Sequence, residues 1–248
     1  MDLLQGIVEQ KRVEVLKRRQ KRPVSNLQNF EFYSREINRI EPSSQGNRPR
    51  FIAEFKRRSP SKGLINSHAD PVEVAGKYLS AGAAAMSILT DRTFFGGAFK
   101  DLQRVREAYR NLVLLRKDFI IDPYQLHEAR AYGADMVLLI AAILERSQVE
   151  ELALEAAELG LQVLFEIHQA GELEKYHNSI GWVGVNNRDL KSFQVDTGIS
   201  LSLAGQLPRG VVQVSESGLH RKEEVEILWK AGFRYFLMGE RFMKSGDP

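Results

Sequence analysis

Eight short apolar runs, the first seven each followed by a helical pattern, constrain this chain more than any other feature. They fall at Phe51–Phe55, Ala84–Leu89, Val113–Arg116, Met136–Ile140, Gln162–Phe165, Ile180–Val185, Val211–Val214 and Tyr235–Met238. The runs are mostly apolar rather than alternating, with Glu54 the exception in the first, which is the mark of parallel strands covered by helices on the outside. Helix signals lie between them. Asp70-Pro71 supplies an N-cap and a first-turn proline for a helix through Leu79, and Asp122-Pro123 does the same for one reaching Tyr132. Further helices are predicted over Phe99–Tyr109, Arg146–Leu159 (closed by Gly160), Ala170–Tyr176, Ser200–Ala204 and His220–Ala231. Eight strand–helix units in 248 residues predict an α/β fold, a single (β/α)8 TIM barrel over residues 51–248.

Ahead of the barrel, residues 1–45 read as an N-terminal helical extension. A helix over 3–19 has apolar positions at Leu3, Leu4, Ile7, Val8, Val13 and Leu16. It ends in the basic run Lys17 to Arg22, which suits the negative end of a helix dipole. A short helix is expected near Phe30–Ile37, then a loop over Ser43–Pro49. Lys+Arg 35 against Asp+Glu 32 gives a net charge of +3, too balanced to demand nucleic acid but compatible with an acidic small molecule. Cysteine is absent, so no disulfide, thiolate metal site or thiol nucleophile is available. No apolar run approaches the roughly 20 residues needed to span a bilayer, and the first residues lack the pattern of a signal peptide. A cytoplasmic location is the expectation.

Barrels of this kind build their sites at the C-terminal ends of the strands. Those ends carry Glu54 and Lys56 on strand 1, Lys117 on strand 3, Glu166 on strand 5, and Asn186 and Arg188 on strand 6. Glu216 with Ser217-Gly218 follows on strand 7, and Gly239 with Glu240 on strand 8. Glu54 with Lys56 alone reads equally as a structural ion pair, and one polar strand end by itself means little. Strand ends that converge with Glu54, Glu166 and Glu216 and with Lys56 and Lys117 read as chemistry, because uncompensated buried charge costs several kcal/mol. Lys117 is a candidate general acid, with Glu166 or Glu54 as base. Lys117 and Asp118 should point to opposite faces, leaving Lys117 free of its neighbour. The glycines after strands 7 and 8 suit a phosphate held by backbone N–H groups. The five histidines fall at no ligand spacing, so no metal site is expected.

The motifs resemble those of the indole-3-glycerol phosphate synthase family. They are Ile52-Ala-Glu54-Phe-Lys56-Arg-Arg-Ser59-Pro-Ser-Lys-Gly63, the segment Ser87–Gly97, Leu115-Arg-Lys117-Asp-Phe119, Phe165-Glu166-Ile-His168, Gly184–Lys191, Val214-Ser-Glu216-Ser-Gly218 and Phe236–Glu240. The resemblance implies ring closure, decarboxylation and dehydration of 1-(2-carboxyphenylamino)-1-deoxyribulose 5-phosphate to indole-3-glycerol phosphate, CO2 and water, in tryptophan biosynthesis, without metal or organic cofactor. It implies that Lys117 is the general acid at the ketone oxygen, Glu166 its partner carboxylate, and Lys56 with Glu54 the pair assisting the later steps. Asn186, Arg188 and Glu216 then bind carboxylate and hydroxyl groups. Ser59, Ser217, Gly218, Gly239 and Glu240 hold phosphate and position the substrate, Glu240 through its backbone. Phe94 and Phe119 are candidate walls for the aromatic ring, and Arg58 and Lys62 add positive charge at the mouth. The expected partner is an anionic small molecule bearing phosphate and carboxylate, with no nucleic acid, no membrane and a monomeric chain. The family places a closing helix after strand 8, whose start Asp247-Pro248 resembles; without that helix, apolar surface on strands 1 and 8 is expected to be exposed.

Three other readings compete. A related phosphate-binding isomerase barrel typically works with Cys and Asp, and this chain has no Cys. A binding-only barrel should have lost some of Lys56, Lys117 and Glu166. Nucleic-acid binding through Lys17 to Arg22 would show a steep dependence on salt.

Overall fold

The computed structural model of the chain describes residues 3–40, 48–60, 63–189, 194–239 and 242–243. Parallel strands close into a barrel: β1 (Arg50–Phe55), β2 (Ala85–Leu89), β3 (Leu114–Lys117), β4 (Met136–Ile140), β5 (Gln162–Ile167), β6 (Trp182–Asn186), β7 (Val212–Glu216) and β8 (Tyr235–Met238). Each pairs with its sequence neighbours, and β1 also pairs with β8 to complete the circle. The outer layer holds α3 (Pro71–Ser80), α4 (Phe99–Ala108), α5 (Tyr124–Ala131), α6 (Arg146–Glu158), α7 (Gly198–Leu203) and α8 (Lys222–Lys230), after α1 (Leu3–Lys21) and α2 (Val24–Leu27) of the extension. The (β/α)8 barrel expected from the apolar runs is therefore the fold. Asp70 caps α3 as its sequence suggests, accepting hydrogen bonds from the backbone N–H groups of Val72 and Glu73.

Side chains along each strand alternate between two cores. Ile52, Leu115, Leu164, Trp182, Val214 and Leu237 pack with one another inside the barrel. Ala53, Phe55, Leu114, Phe165, Val183 and Val185 pack outward with the helices. That parity decides the site. Two residues past each inward apolar side chain come Glu54, Lys117, Glu166, Gly184, Glu216 and Gly239, so charged groups and glycines finish the column that hydrophobic ones begin.

Three local expectations are corrected. The short helix of the extension is Val24–Leu27, followed by turns through Ser34, not Phe30–Ile37; Pro23, with φ −62°, sets its start. Residues Ala170–Lys175 form a 3-10 helix rather than an α-helix, since the Glu172 carboxylate turns back to accept from His168 N at 2.6 Å and Gln169 N at 3.2 Å and tightens the turn. The buried stripe of α1 is Leu4, Ile7, Lys11 and Val15, whereas Val13 and Leu16 are 47% and 58% exposed. A lysine takes the place in that stripe that the apolar pattern alone gives to a hydrophobe, because carboxylates await it.

The extension grips the barrel at both ends. Toward the mouth, Arg18 of α1 binds Glu128 of α5. At the opposite end Asp135, just ahead of β4, accepts from Leu114 N at 2.8 Å, Asn38 N at 2.9 Å and the Arg35 guanidinium at 2.6 Å, and pairs with the buried Arg106. Between α3 and α8 a groove of about 720 Å3 lies over Phe51, Ala53, Tyr78, Val225 and Met238. Asp247-Pro248 falls outside the described residues. Among the described residues no helix is long and apolar enough to cross a membrane.

Candidate active site

At the C-terminal end of the barrel one cavity of about 160 Å3 is lined by Glu54, Lys56, Ser59, Lys117, Glu166, Asn186, Arg188, Glu216, Ser217, Gly218 and Gly239. The structure thus brings together all the candidate site residues except Glu240, which lies outside the described residues, as does Lys62. Glu54, Lys117, Glu166, Asn186 and Glu216 reach the cavity by the inward parity of their strands, the others from the loops that follow, and the register sets Glu166 opposite Gly184 and Asn186 opposite Glu216.

Lys117 is the centre of the charge arrangement. Its Nζ donates to Glu166 Oε2 at 3.0 Å and to Glu216 Oε2 at 2.6 Å. Burial opposes its charge, but Glu166, Glu216 and Glu54 together outweigh burial and raise its pKa. Asp118 turns away as expected and is satisfied by Lys11 and Arg116. Glu216, 1% exposed, responds the other way: burial, with Glu166 beside it, pushes its carboxyl up to about 8 against the pull of Lys117. Its Oε1 is buried with no donor to stabilise a negative charge there, which works against the ionised form. Asn186 Nδ2 donates to Glu166 Oε1 at 3.2 Å while its Oδ1 accepts from Arg188 N at 3.0 Å, so Asn186 orients Glu166 as well as facing the cavity.

A second pair stands across the mouth. Lys56 Nζ donates to Glu54 Oε1 at 2.5 Å. Burial acts against the Glu54 carboxylate, yet Lys56, Lys117 and Arg188 hold its pKa below the ordinary value. Gly239 is what admits it: a Cβ there would stand 2.7 Å from Glu54 Cβ and 3.0 Å from Glu54 O. The glycine read as a phosphate contact therefore also has a packing role.

Beyond β7, Ser217 has φ 68° and Gly218 φ 76°. Ser217 is the one non-glycine in the left-handed region among the described residues. That conformation costs of order 1–3 kcal/mol and gathers at ligand sites. Asn187 holds it, donating from Nδ2 to Ser217 O at 3.1 Å and to Ser215 Oγ at 3.0 Å while accepting from Ser200 at Oδ1. Nothing in its sequence position marked Asn187 apart from Asn186.

Two expectations about the rim change. The ring that lines the cavity beside Phe119 is Phe95, not Phe94, and the Phe95 and Phe119 centroids are 5.9 Å apart. Asp91 decides this by accepting the backbone N–H groups of Phe94 and Phe95 and so winding the loop. Arg58 is exposed in a small hairpin (Arg58–Ser59 against Gly63–Leu64), with its aliphatic stem over Gly96. His168 lies behind the site, its Nδ1 at 2.8 Å from Asn186 O. Among the described residues, no three or more His, Asp or Glu side chains are grouped so as to hold a metal ion.

Comparison with known proteins points to one family. The family model described as indole-3-glycerol phosphate synthase matches residues 4–248. An indole-3-glycerol phosphate synthase of Bacteroides thetaiotaomicron is 49% identical over 250 residues, covering 100% of this chain and 95% of that protein. One from Salinibacter ruber is 43% identical and covers 100% of this chain and 93% of its own length. Among solved structures, the N-acetylmannosamine-6-phosphate 2-epimerase of Clostridium perfringens superposes with a TM-score of 0.57 at 14% identity, over 79% of this chain and 89% of that one. At that identity the likeness is one of fold.

Proposed function

The chain belongs to the indole-3-glycerol phosphate synthase family, a family of carboxy-lyases, and we propose that its strand ends divide the family's reaction between two ammonium–carboxylate sets. The reaction takes 1-(2-carboxyphenylamino)-1-deoxyribulose 5-phosphate to indole-3-glycerol phosphate, CO2 and water. The observation that carries the assignment is the Lys117 ammonium bonded to both Glu166 and Glu216 on the barrel axis.

In this reading the aromatic carbon bearing the carboxylate attacks the ketone carbon, and the ketone oxygen takes a proton from Lys117. A lysine whose pKa is raised is protonated at neutral pH, so it is a donor and not a base. Glu216, within 2.6 Å and protonated below about 8, returns a proton to Lys117. Glu166 stabilises the cation that forms on the ring and nitrogen. Loss of CO2 then restores the aromatic electrons. Lys56 and Glu54, held as a separate pair 2.5 Å apart, serve the later steps, protonating the departing hydroxyl and taking the proton from the adjacent carbon. The phosphate is assigned to the turn after β7 and to Gly239 and Glu240, whose backbone N–H groups bear no opposing charge, with Ser59 on the facing side. Arg188 and Asn186 are assigned to the substrate's carboxylate and hydroxyls.

The test is a fluorescence assay for indole-3-glycerol phosphate formation by the wild-type chain and Lys117→Ala. Turnover is expected to fall by about 10^2- to 10^4-fold in the variant. A variant with wild-type turnover would remove Lys117 from its role, and a folded wild-type chain that makes no product would overturn the reaction itself.

A further inference from the structure

Lys11 belongs to the extension, far in sequence from every strand end, and yet it is 1% exposed. Its Nζ donates to Asp91 Oδ2 at 2.7 Å, contacts Asp118 Oδ1 at 2.8 Å and reaches Glu14 Oε2 at 3.3 Å. Three carboxylates thus meet its three N–H donors, which is the condition for burying an ammonium. The two aspartates come from different βα loops, the first after β2 and the second directly after Lys117.

Each aspartate also fixes an aromatic residue. Asp91 Oδ1 accepts from Phe94 N at 2.7 Å and Phe95 N at 3.3 Å. Asp118 Oδ1 accepts from Phe119 N at 2.8 Å, while its Oδ2 takes Thr90 Oγ1 at 2.6 Å and the Arg116 guanidinium at 2.9 Å. Phe95 and Phe119 are the two rings on the cavity wall. Remove the ammonium and two buried carboxylates face each other, with Arg116 left to offset one of them. The loops would separate, and the rings they carry with them.

We propose that Lys11 is a positioning residue for catalysis: from the first helix it draws the β2 and β3 loops together and so sets the Phe95–Phe119 wall against which the substrate's aromatic ring lies. This rests on the ring-closure reading. A strut that merely attaches α1 to the barrel would have the same contacts, so the test needs a readout that attachment does not move.

The experiment compares the full wild-type chain with Lys11→Met, which keeps the length of the side chain and removes its charge. Steady-state kinetics are measured beside calorimetric affinities for indole-3-glycerol phosphate and for inorganic phosphate. In folded Lys11→Met we expect kcat/KM to fall about 10- to 100-fold, the scale of a small misplacement at a distance. Most of that fall should lie in KM, with a matching loss of affinity for the indole product and unchanged affinity for inorganic phosphate. Phe95→Leu in the same background should add little further, since the wall is already displaced. A folded Lys11→Met that is only less stable, with wild-type KM and product affinity, overturns the proposal. Should that variant not fold, Asp91→Asn tests the same link. It keeps an acceptor for Phe94 N but turns an amide NH2 toward Lys11, and unchanged KM and product affinity there also overturn the proposal. Absence of turnover in the wild type would sink the ring-closure reading, while the two affinities would still judge Lys11.

Discussion

Glu216 Oε1 lies over the bare Cα of Gly184, 2.2 Å from where a Cβ on that residue would stand. Gly184 is the inward residue of β6 between Trp182 and Asn186, and its register partners are Glu166 and Val214. The missing side chain is the space into which the Glu216 carboxyl leans to reach Lys117. Gly184→Ala should therefore displace Glu216. Overpacking of this kind destabilises by about 1–3 kcal/mol. Turnover should fall about 10- to 100-fold, beyond what stability explains, through lost alignment. Wild-type kcat in folded Gly184→Ala would show that Glu216 works equally well from another position.

Gly239 makes the parallel case at β8. A methyl group there meets Glu54 Cβ at 2.7 Å and Oε1 at 2.9 Å. Gly239→Ala should force Glu54 off Lys56, and the steps assigned to that pair should slow. If ring closure and the later steps are timed separately by rapid quench, the ring-closed intermediate should accumulate in this variant and not in the wild type. Equal slowing of every step would instead point to phosphate binding as the role of Gly239.

The raised carboxyl of Glu216 has a consequence for stability. Its pKa is 4.5 in the unfolded chain and about 8 in the folded one. Between those values the folded state keeps a proton that the unfolded state has lost, so stability falls as pH rises across the window. The contribution is fully present below 4.5 and lost by about 8. Urea midpoints from about pH 5 to pH 8 should thus drop more steeply for the wild type than for Glu216→Gln, which has no proton to lose. Parallel slopes would mean that Glu216 is ionised in the folded protein at neutral pH.

At the other end of the barrel, Asp135 joins Arg106, Arg35, Asn38 N and Leu114 N. Asp135→Ala leaves a fully buried Arg106 without its carboxylate and should cost about 3–5 kcal/mol. Activity per folded molecule at a permissive temperature should not change, because this end lies away from the cavity. A lowered kcat in the folded variant would show that the two ends of the barrel are coupled.

The fold and the charged strand ends were legible because both follow from a period of two, whereas Ser59 entered through the family resemblance and the turn after β7 through its glycine. An apolar run that stops in a charged residue of the right parity delivers that charge inward, whatever its loops do, and Glu54, Lys117, Glu166 and Glu216 all obey this rule. What escaped depends on partners remote in sequence. Lys11 looks like a solvent-facing helix residue until Asp91 and Asp118 are placed beside it. Gly184 signals close approach but not of what. Phe95 rather than Phe94 faces the cavity because of a loop wound on Asp91, and adjacent aromatics carry no sign of which way such a loop turns.

The Lys11 clasp also has an order in time. Its nearer aspartate lies 80 residues downstream. At roughly 5–20 residues per second, ribosomal synthesis leaves the first helix waiting about 4–16 s for Asp91. Through that interval the helix has a lysine in the middle of its only continuous docking stripe, and it cannot settle on an apolar surface without stranding the charge. The group that joins the β2 and β3 loops at the end is thus, in the nascent helix, a charge that an apolar surface cannot cover until its carboxylates are made.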